Sequence, residues 1–406
     1  MNLDQKEPVL LKMSPLLAAF FINGMIAVMT GIVLKYIFIE NGIGYEKIGI
    51  SIAIQSISNM IGGMISSPLI KKLGKKSVLT LFCVLFSSFG LLIFAHSFYF
   101  VLIVMAITGV AWGLCNNLVH VLLIGNHGDN EASISALHTS YAVGSFVGPF
   151  IIVLFSFMNI GWRFPVILIF IGSIALIPFL FKVNTNLNKA KIDFNDAKTI
   201  LNDADIQIVN IPKTNTKLLK DKGFIICVLL YFAYIGIEVS INAWLPVFLE
   251  YDKHFPSSMG QLGISIVWLT IIFSRLLCIV LRKRMRNHDI LAYQCIGLLI
   301  TLIIVIVSLG TVFTFISLVL LGFVMGGISP SNAENAKSYL AENSASSGII
   351  FAGGGLGSML LPLLIGFITG KSTVFYGMLC ILFFSAFIML VAIFNKYYKS
   401  KDNVSY

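Results

Sequence analysis

The amino-acid sequence predicts an all-α polytopic membrane protein with twelve transmembrane helices arranged as two pseudo-symmetric six-helix halves. Three observations support this fold class. Of the 406 residues, 57% are hydrophobic and only 11% are charged, far fewer charges than a water-exposed surface carries. Apolar stretches long enough to cross a bilayer recur along the chain. A single long polar stretch, residues 182–223, divides them into two sets of similar length.

The length of the apolar stretches gives the number of spans, because about 20 helical residues cross a hydrocarbon core of about 30 Å. Six stretches precede the polar segment, at residues 14–37, 48–69, 78–95, 99–124, 134–157 and 165–181. Six more follow it, at residues 224–249, 259–281, 290–309, 312–330, 346–369 and 373–394. We number these spans one to twelve. The predicted domains are a first half over 1–181, a cytoplasmic linker over 182–223, and a second half with a short cytoplasmic tail over 224–406.

The distribution of Lys and Arg predicts that both termini face the cytoplasm, because cytoplasmic loops carry an excess of basic residues. With the termini inside, 22 of the 28 basic residues lie in cytoplasmic segments, five lie outside and Arg275 lies within a span. The net charge of +10 comes from short clusters between apolar runs, such as Lys71–Lys76 and Arg282–Arg286. We therefore expect the lipid bilayer of the cell membrane, and not nucleic acid, as the partner of these charges.

Glycine spacing indicates that the two halves are repeats of each other. Glycine pairs four residues apart occur in spans four, five, ten and eleven, as Gly109/Gly113, Gly144/Gly148, Gly322/Gly326 and Gly353/Gly357. Small residues at this spacing let helices pack closely. Their recurrence at matching places in two six-span halves indicates a parallel repeat of the kind found in transporters.

With twelve spans and a long central loop, the chain resembles the major facilitator superfamily over nearly its whole length. The loop after span two, Ser67-Pro-Leu-Ile-Lys-Lys-Leu-Gly-Lys-Lys76, occupies the place of that superfamily's signature loop, with Lys71 where the signature has Asp. This loop and the stretches Leu137–Gly144, Ile235–Trp244 and Gly353–Pro362 are similar to the fucose/glucose:proton symporter branch. The resemblance implies a secondary transporter of a sugar or related solute that works by alternating access.

Polar side chains within the first six spans are candidates for binding the solute, because polar groups in hydrocarbon usually face the bundle interior or a water-filled cavity. The candidates in the first half are Asn23, Gln55, Asn59, Asn116, His120, His138 and Tyr141. Gln55 and Asn59 are four residues apart and share a helix face, as do Asn116 and His120. Hydrogen bonds that only hold the bundle together are an equally open interpretation of both pairs. His120 could instead titrate near neutral pH.

The candidates in the second half lie on spans seven and eight: Tyr234, Glu238, Asn242, Trp244 and Trp268. On span seven the first three of these are spaced by four residues and share one face. On span eight Gln261, Trp268 and Arg275 are spaced by seven residues and form one stripe. Arg275 is a candidate gate residue, and the alternative is that its side chain reaches the cytoplasmic surface.

Glu238 is the candidate for proton coupling because it is the only acid placed well inside any predicted span. An unpaired carboxylate in hydrocarbon is costly and is normally protonated or placed beside a cation. Members of the resembled branch can carry acids in spans one and four, where this chain has Gly31 and Asn116. The resemblance therefore leaves Glu238 as the best proton carrier. A structural hydrogen bond from a neutral Glu238 to another span is the alternative.

The sequence contains no P-loop, no metal-ligand spacing and no plausible order of catalytic Ser, His and Asp. We therefore predict a monomeric transporter and not an enzyme, with no catalytic residue, metal or cofactor. Its expected partners are a small polar solute, a sugar or polyol first, and a proton as coupling ion. A drug or metabolite exporter of the same superfamily is the main alternative, because the aromatic and Met content suits an amphipathic cargo. A membrane enzyme acting on lipid-linked substrates is less favoured.

Overall fold

The computed structural model describes residues 9–127, 131–183, 220–342 and 344–402. The first half contains the helices Val9–Glu40, Glu46–Ser87, Phe98–His127, Glu131–Phe157 and Arg163–Lys182, with a 3-10 helix at Ser88–Phe94. The second half contains the helices Lys222–Tyr251, Ser257–Leu281, Asn287–Val307, Thr311–Met325, Ile328–Glu342, Ser344–Thr369 and Val374–Asp402. Most of the predicted linker, residues 184–219, lies outside the described residues.

The described residues contain 12 helical segments long and apolar enough to cross a membrane. They are Met13–Glu40, Glu46–Ser66, Lys72–Phe94, Phe98–Val119, Ala136–Phe157, Arg163–Phe181, Lys222–Tyr251, Ser257–Cys278, Asn287–Val307, Thr311–Tyr339, Gly348–Thr369 and Val374–Lys399. Each overlaps one predicted span, and we keep the numbers one to twelve for them. The predicted fold class is confirmed.

Glycines interrupt the helical path at two places. Near the start of span three the chain kinks at Gly74, whose φ of 72° lies in the left-handed region that favours glycine. A Cβ at Gly74 would meet no atom within 4 Å, so backbone conformation and not space explains this glycine. Span ten is built from two helices separated by Gly326 and Gly327. The second break lies in the middle of the bundle, next to the cavity described below.

The glycine pairs make equivalent helix contacts in the two halves. A Cβ at Gly109 of span four would overlap the Gln55 carbonyl oxygen of span two. A Cβ at Gly322 of span ten would overlap the Val267 carbonyl oxygen of span eight. The second glycine of each pair contacts the same partner helix one turn further along. Span four therefore packs on span two as span ten packs on span eight.

The same correspondence holds for spans five and eleven. A Cβ at Gly144 would overlap the Phe21 carbonyl oxygen of span one, and a Cβ at Gly357 would overlap the Phe232 carbonyl oxygen of span seven. Contacts this close hold backbone against backbone, which is the packing that small residues permit in a membrane bundle. The predicted glycine interpretation is therefore supported by contacts in both halves.

The two halves meet along three pairs of spans. Span two lies along span eleven, span five along span eight, and span one crosses span seven. At that crossing a Cβ on Gly31 would lie 2.6 Å from the Ala243 Cα, so the two backbones are in direct contact. These three contacts surround a space between the halves, and the polar residues of the spans converge on it.

Candidate functional site

A cavity of about 270 Å³ lies between the halves. Its lining comes from spans one, two, four and five of the first half and from the equivalent spans seven, eight, ten and eleven of the second. Each half thus contributes the same four elements. Eight of the predicted site residues line it: Gln55, Asn59, Asn116, His138, Tyr141, Glu238, Asn242 and Arg275.

Three further predicted residues lie directly behind the cavity wall and hold residues of the wall or the helices around it. Asn23 Nδ2 donates to Asn116 Oδ1 at 3.0 Å. Trp268 Nε1 donates to Asn242 Oδ1 at 2.9 Å, and its ring packs edge-on against Tyr141 with 5.9 Å between ring centroids. The buried Tyr234 hydroxyl donates to the carbonyl oxygen of Met325, at the break in span ten, at 3.2 Å.

The remaining two predicted residues are Trp244 and His120. Trp244 is fully buried in the hydrophobic core and is not among the residues that line the cavity. The backbone of His120 lies in the helix Phe98–His127, and its side chain lies outside the described part of the chain.

Glu238 and Arg275 place opposite charges at the cavity. No other Asp, Glu, Lys or Arg is among the described residues that line it. Glu238 lines the cavity. Its carboxyl has the Tyr234 hydroxyl as a side-chain hydrogen-bonding neighbour and experiences the positive charge of Arg275. The site therefore holds one acid whose neighbours are a hydroxyl and a cation, rather than an isolated carboxylate.

Arg275 connects the two halves across the cavity. It belongs to span eight of the second half, and its Nη1 donates to the His138 carbonyl oxygen of span five at 3.4 Å. Its Nε has no hydrogen-bond partner among the described residues. The structure thus places Arg275 at the cavity and beside a backbone carbonyl of the other half.

Aromatic and hydroxyl side chains complete the wall, and the sequence reasoning did not find them. They are Phe20, Thr30, Ser56, Trp112, Ser329 and Ser358. Hydroxyl groups within a span give little signal because they bond to nearby carbonyl oxygens, as Thr30 Oγ1 does to Ile26 O at 2.7 Å. The glycine repeat contains a usable signal for Ser329. It follows Gly326 by three residues, as Asn116 follows Gly113, and both residues line the cavity.

Comparison with known proteins places this architecture in a family. The sequence profile of the Major Facilitator Superfamily matches residues 16–349. The glucose/mannose transporter GlcP of Bacillus subtilis (strain 168) is 23% identical over 368 residues, which cover 89% of this chain and 88% of that protein. This relative is named as a transporter of two sugars.

Solved transporter structures share the fold. The nucleoside transporter NupG superimposes with a TM-score of 0.75 at 13% identity, over 95% of this chain and 99% of that chain. A D-xylose-proton symporter superimposes with a TM-score of 0.74 at 13% identity, over 95% and 96% of the two chains. The xylose transporter XylE from E. coli, in a partially occluded inward open conformation, gives 0.69 at 14% identity, over 93% and 97%. The family profile matches most of the sequence, and the twelve spans and the repeated helix packing agree with it, so the chain belongs to the Major Facilitator Superfamily.

Proposed function

We propose that this chain is a secondary active transporter that moves a small polar solute, with a sugar or related polyol first, across the cell membrane. The observation that carries the proposal is the polar cavity between two equivalent sets of four spans. Alternating access requires such a site at the interface of two repeats that rock against each other. The printed substrates of the relative GlcP, glucose and mannose, support a sugar.

The chemistry of the wall suits a neutral solute rich in hydroxyl groups. The amides of Gln55, Asn59, Asn116 and Asn242 offer both donors and acceptors. The ring of Trp112 offers an apolar face of the kind against which the C–H face of a sugar packs. When Glu238 is ionised, its charge and that of Arg275 cancel, so the cavity then provides no net charge to select an ion. These groups bind and orient the solute without altering it, so no chemical reaction is proposed.

We propose that the coupling ion is a proton carried by Glu238. A protonated Glu238 is neutral and can donate to a solute hydroxyl or to Tyr234, whereas the ionised form is attracted to Arg275. Movement of Arg275 away from the cavity, as the halves separate on that side, changes which form is favoured. Arg275 thereby acts both as an inner gate, through its contact with span five, and as the charge partner of the proton site.

The proposed orientation places both termini, the central linker and the basic loops after spans two and eight in the cytoplasm. It rests on the excess of Lys and Arg in those segments. In this orientation Arg275 lies towards the cytoplasmic end of span eight, and the end of span one near Glu40 faces outward. The transporter is proposed to act as a monomer.

Uptake of labelled sugars into membrane vesicles with an imposed pH gradient tests the function. We expect at least one of glucose, mannose, fucose and xylose to accumulate when the gradient drives protons in the same direction, and to equilibrate when a protonophore removes the gradient. Vesicles from cells that lack the protein are the control. Failure of every sugar to enter would contradict a sugar transporter of this specificity.

A drug or metabolite exporter of the same superfamily is the second candidate. Phe20, Trp112 and Tyr141 line the cavity beside Ile52 and Ile235, and such a surface also suits an amphipathic cargo. A drug-sensitivity panel separates the two proposals, since an exporter raises the tolerated concentration of its cargo in expressing cells. A sugar transporter leaves those concentrations unchanged.

A further inference from the structure

A buried cluster of polar side chains joins the two halves where spans one and seven end. The Nζ of Lys35, in span one, pairs with the Glu250 carboxylate of span seven. The same Nζ donates to the Ser257 Oγ of span eight at 2.7 Å. Tyr36, the next residue of span one, has its hydroxyl 3.1 Å from the same Ser257 Oγ and accepts a hydrogen bond from Gln261.

Lys35 is among the most deeply buried charged residues of the described chain. Its side chain is 1% exposed, whereas that of Glu250 is 21% exposed. An ammonium group taken out of water must recover its hydration from well-placed partners. Lys35 has three: the Glu250 carboxylate, the Ser257 hydroxyl and the Tyr36 ring, whose centroid lies 4.7 Å from Nζ.

Lys35 belongs to the first half, whereas Glu250 and Ser257 belong to the second. Lys35 can therefore contact them only while the halves are closed at this end. Nearby contacts show the same closure. The rings of Tyr45 and Tyr251 meet edge-on across the halves with centroids 5.0 Å apart. A Cβ on Gly366 of span eleven would lie 3.1 Å from the Gly49 Cα of span two. Separation of the halves here would break the ion pair and expose both charges to water.

We infer that Lys35 and Glu250 form a charge latch that closes the outer end of the solute cavity and separates once in every transport cycle. The transport cycle in this inference rests on the proposed function, and the placement of the latch at the outer end rests on the proposed orientation. A buried ion pair is weak evidence for stability, and its best-attested role is to specify one arrangement over another. An apolar pair in this place would lose its burial on opening and would hold this end closed. Separated charges instead regain hydration, which lowers the free energy of the open state and makes opening reversible.

The distance between the halves at this end tests the latch without any solute. Spin labels at His96→Cys and Leu309→Cys, in a background without native cysteines, report it by double electron–electron resonance. Both positions are exposed, lie in loops at the same end as Lys35, and belong to different halves. Glu250→Gln leaves the Lys35 charge buried and unpaired in the closed state and hydrated in the open state. We expect it to raise the ratio of long to short distances by about tenfold or more.

Two further variants make the test specific. Lys35→Met added to Glu250→Gln removes the unpaired charge, and we expect the short distance to return. Glu40→Gln is the matched control. The Glu40–Arg163 pair lies at the same end, but it joins spans one and six of one half and is exposed by 38% and 47%. We expect no change in distances from Glu40→Gln.

Unchanged distances in Glu250→Gln would overturn the latch, even with a lower melting temperature, because a purely structural pair affects stability and not opening. A double variant as open as Glu250→Gln would also overturn it. Should Glu250→Gln not fold, Lys35→Met is measured instead, because it leaves unpaired the charge of Glu250, which is partly exposed to water. Unchanged distances in Lys35→Met would again overturn the latch. The latch can fail while the unmodified chain transports sugar, and the transport assay can fail while the distances shift, so the two results are distinguishable.

Discussion

Glu238 is a candidate both for binding the solute and for carrying the coupling proton, because it lies at the cavity and near Tyr234 and Arg275. A residue that only binds the solute affects affinity. A residue that carries the coupling proton affects accumulation against a gradient. The substitution Glu238→Gln keeps the shape and the hydrogen bonds of the side chain and removes its titration, so it separates the two roles.

We predict that Glu238→Gln still exchanges labelled solute across the membrane and no longer accumulates it above equilibrium when a pH gradient is imposed. The measurement is counterflow and gradient-driven uptake in the same vesicles. Reduced affinity with accumulation retained would assign Glu238 to solute binding alone. Unchanged accumulation together with unchanged affinity would exclude both roles.

The two tryptophans offer a matched pair of substitutions. Trp268→Phe keeps the ring against Tyr141 and removes the 2.9 Å bond to Asn242, so the amide loses its orientation. We expect the KM for the solute to rise about fivefold to tenfold, since one hydrogen bond contributes about 1 kcal/mol. Trp244→Phe should leave KM unchanged, because the Trp244 Nε1 has no hydrogen-bond partner among the described residues and the side chain does not line the cavity. Equal effects of the two substitutions would contradict the assignment.

Helix periodicity explains why the sequence predicted many residues of the cavity wall and why its prediction for Trp244 was wrong. Residues four apart on a helix share a face, which groups Glu238 with Asn242. Trp244 follows Asn242 by two residues, or about 200° around the helix, and so points away from the cavity. Lys35 was counted among the five basic residues on the outer side of the membrane, and its burial within span one was not predicted. Its partner Glu250 is 215 positions away, a separation that no local pattern reveals.

At the scale of the helices, the spans were predictable because apolar length is a local property of the chain. The break in span ten was not predicted. Gly326 is the second glycine of the pair Gly322/Gly326, and such a pair is also expected in a continuous helix that packs closely on another. Contacts explain both features. Gly326 packs against span eight, and the interruption brings Ser329 to the cavity.

The glycine pairs give a prediction about helix packing. Gly113→Ala should lower the free energy of unfolding by about 1–3 kcal/mol, because its Cβ would overlap the Asn59 carbonyl oxygen and force spans two and four apart. Gly172→Ala is the control. Its Cβ would have only the Ile22 Cδ1 within 4 Å, at 3.9 Å, so the substitution should be neutral or slightly stabilising. Thermal unfolding of the purified protein measures both, and equal melting temperatures would contradict the packing.

At the scale of the whole molecule, the repeat explains why the cavity lies where it does. Equivalent glycine contacts build two similar halves, and equivalent spans from each half supply the wall. The polar residues on those spans are not equivalent. Asn116 has Ser329 as its counterpart, and the acid and the guanidinium both come from the second half. We therefore propose that the symmetric scaffold permits the rocking motion and that the asymmetric side chains supply recognition and coupling.

Orientation in the membrane decides what this motion achieves, and cysteine labelling tests it. Lys72 and Arg284 are exposed at the end of the bundle where spans two and eight finish, and Leu309 and Lys371 are exposed at the opposite end. With native cysteines replaced, an impermeant maleimide added to intact cells should label Leu309→Cys and Lys371→Cys. Lys72→Cys and Arg284→Cys should react only after the membrane is permeabilised, because the basic loops stay in the cytoplasm. The reversed pattern would overturn the proposed orientation, place the Lys35–Glu250 pair at the cytoplasmic end, and make Arg275 the residue that faces the outside.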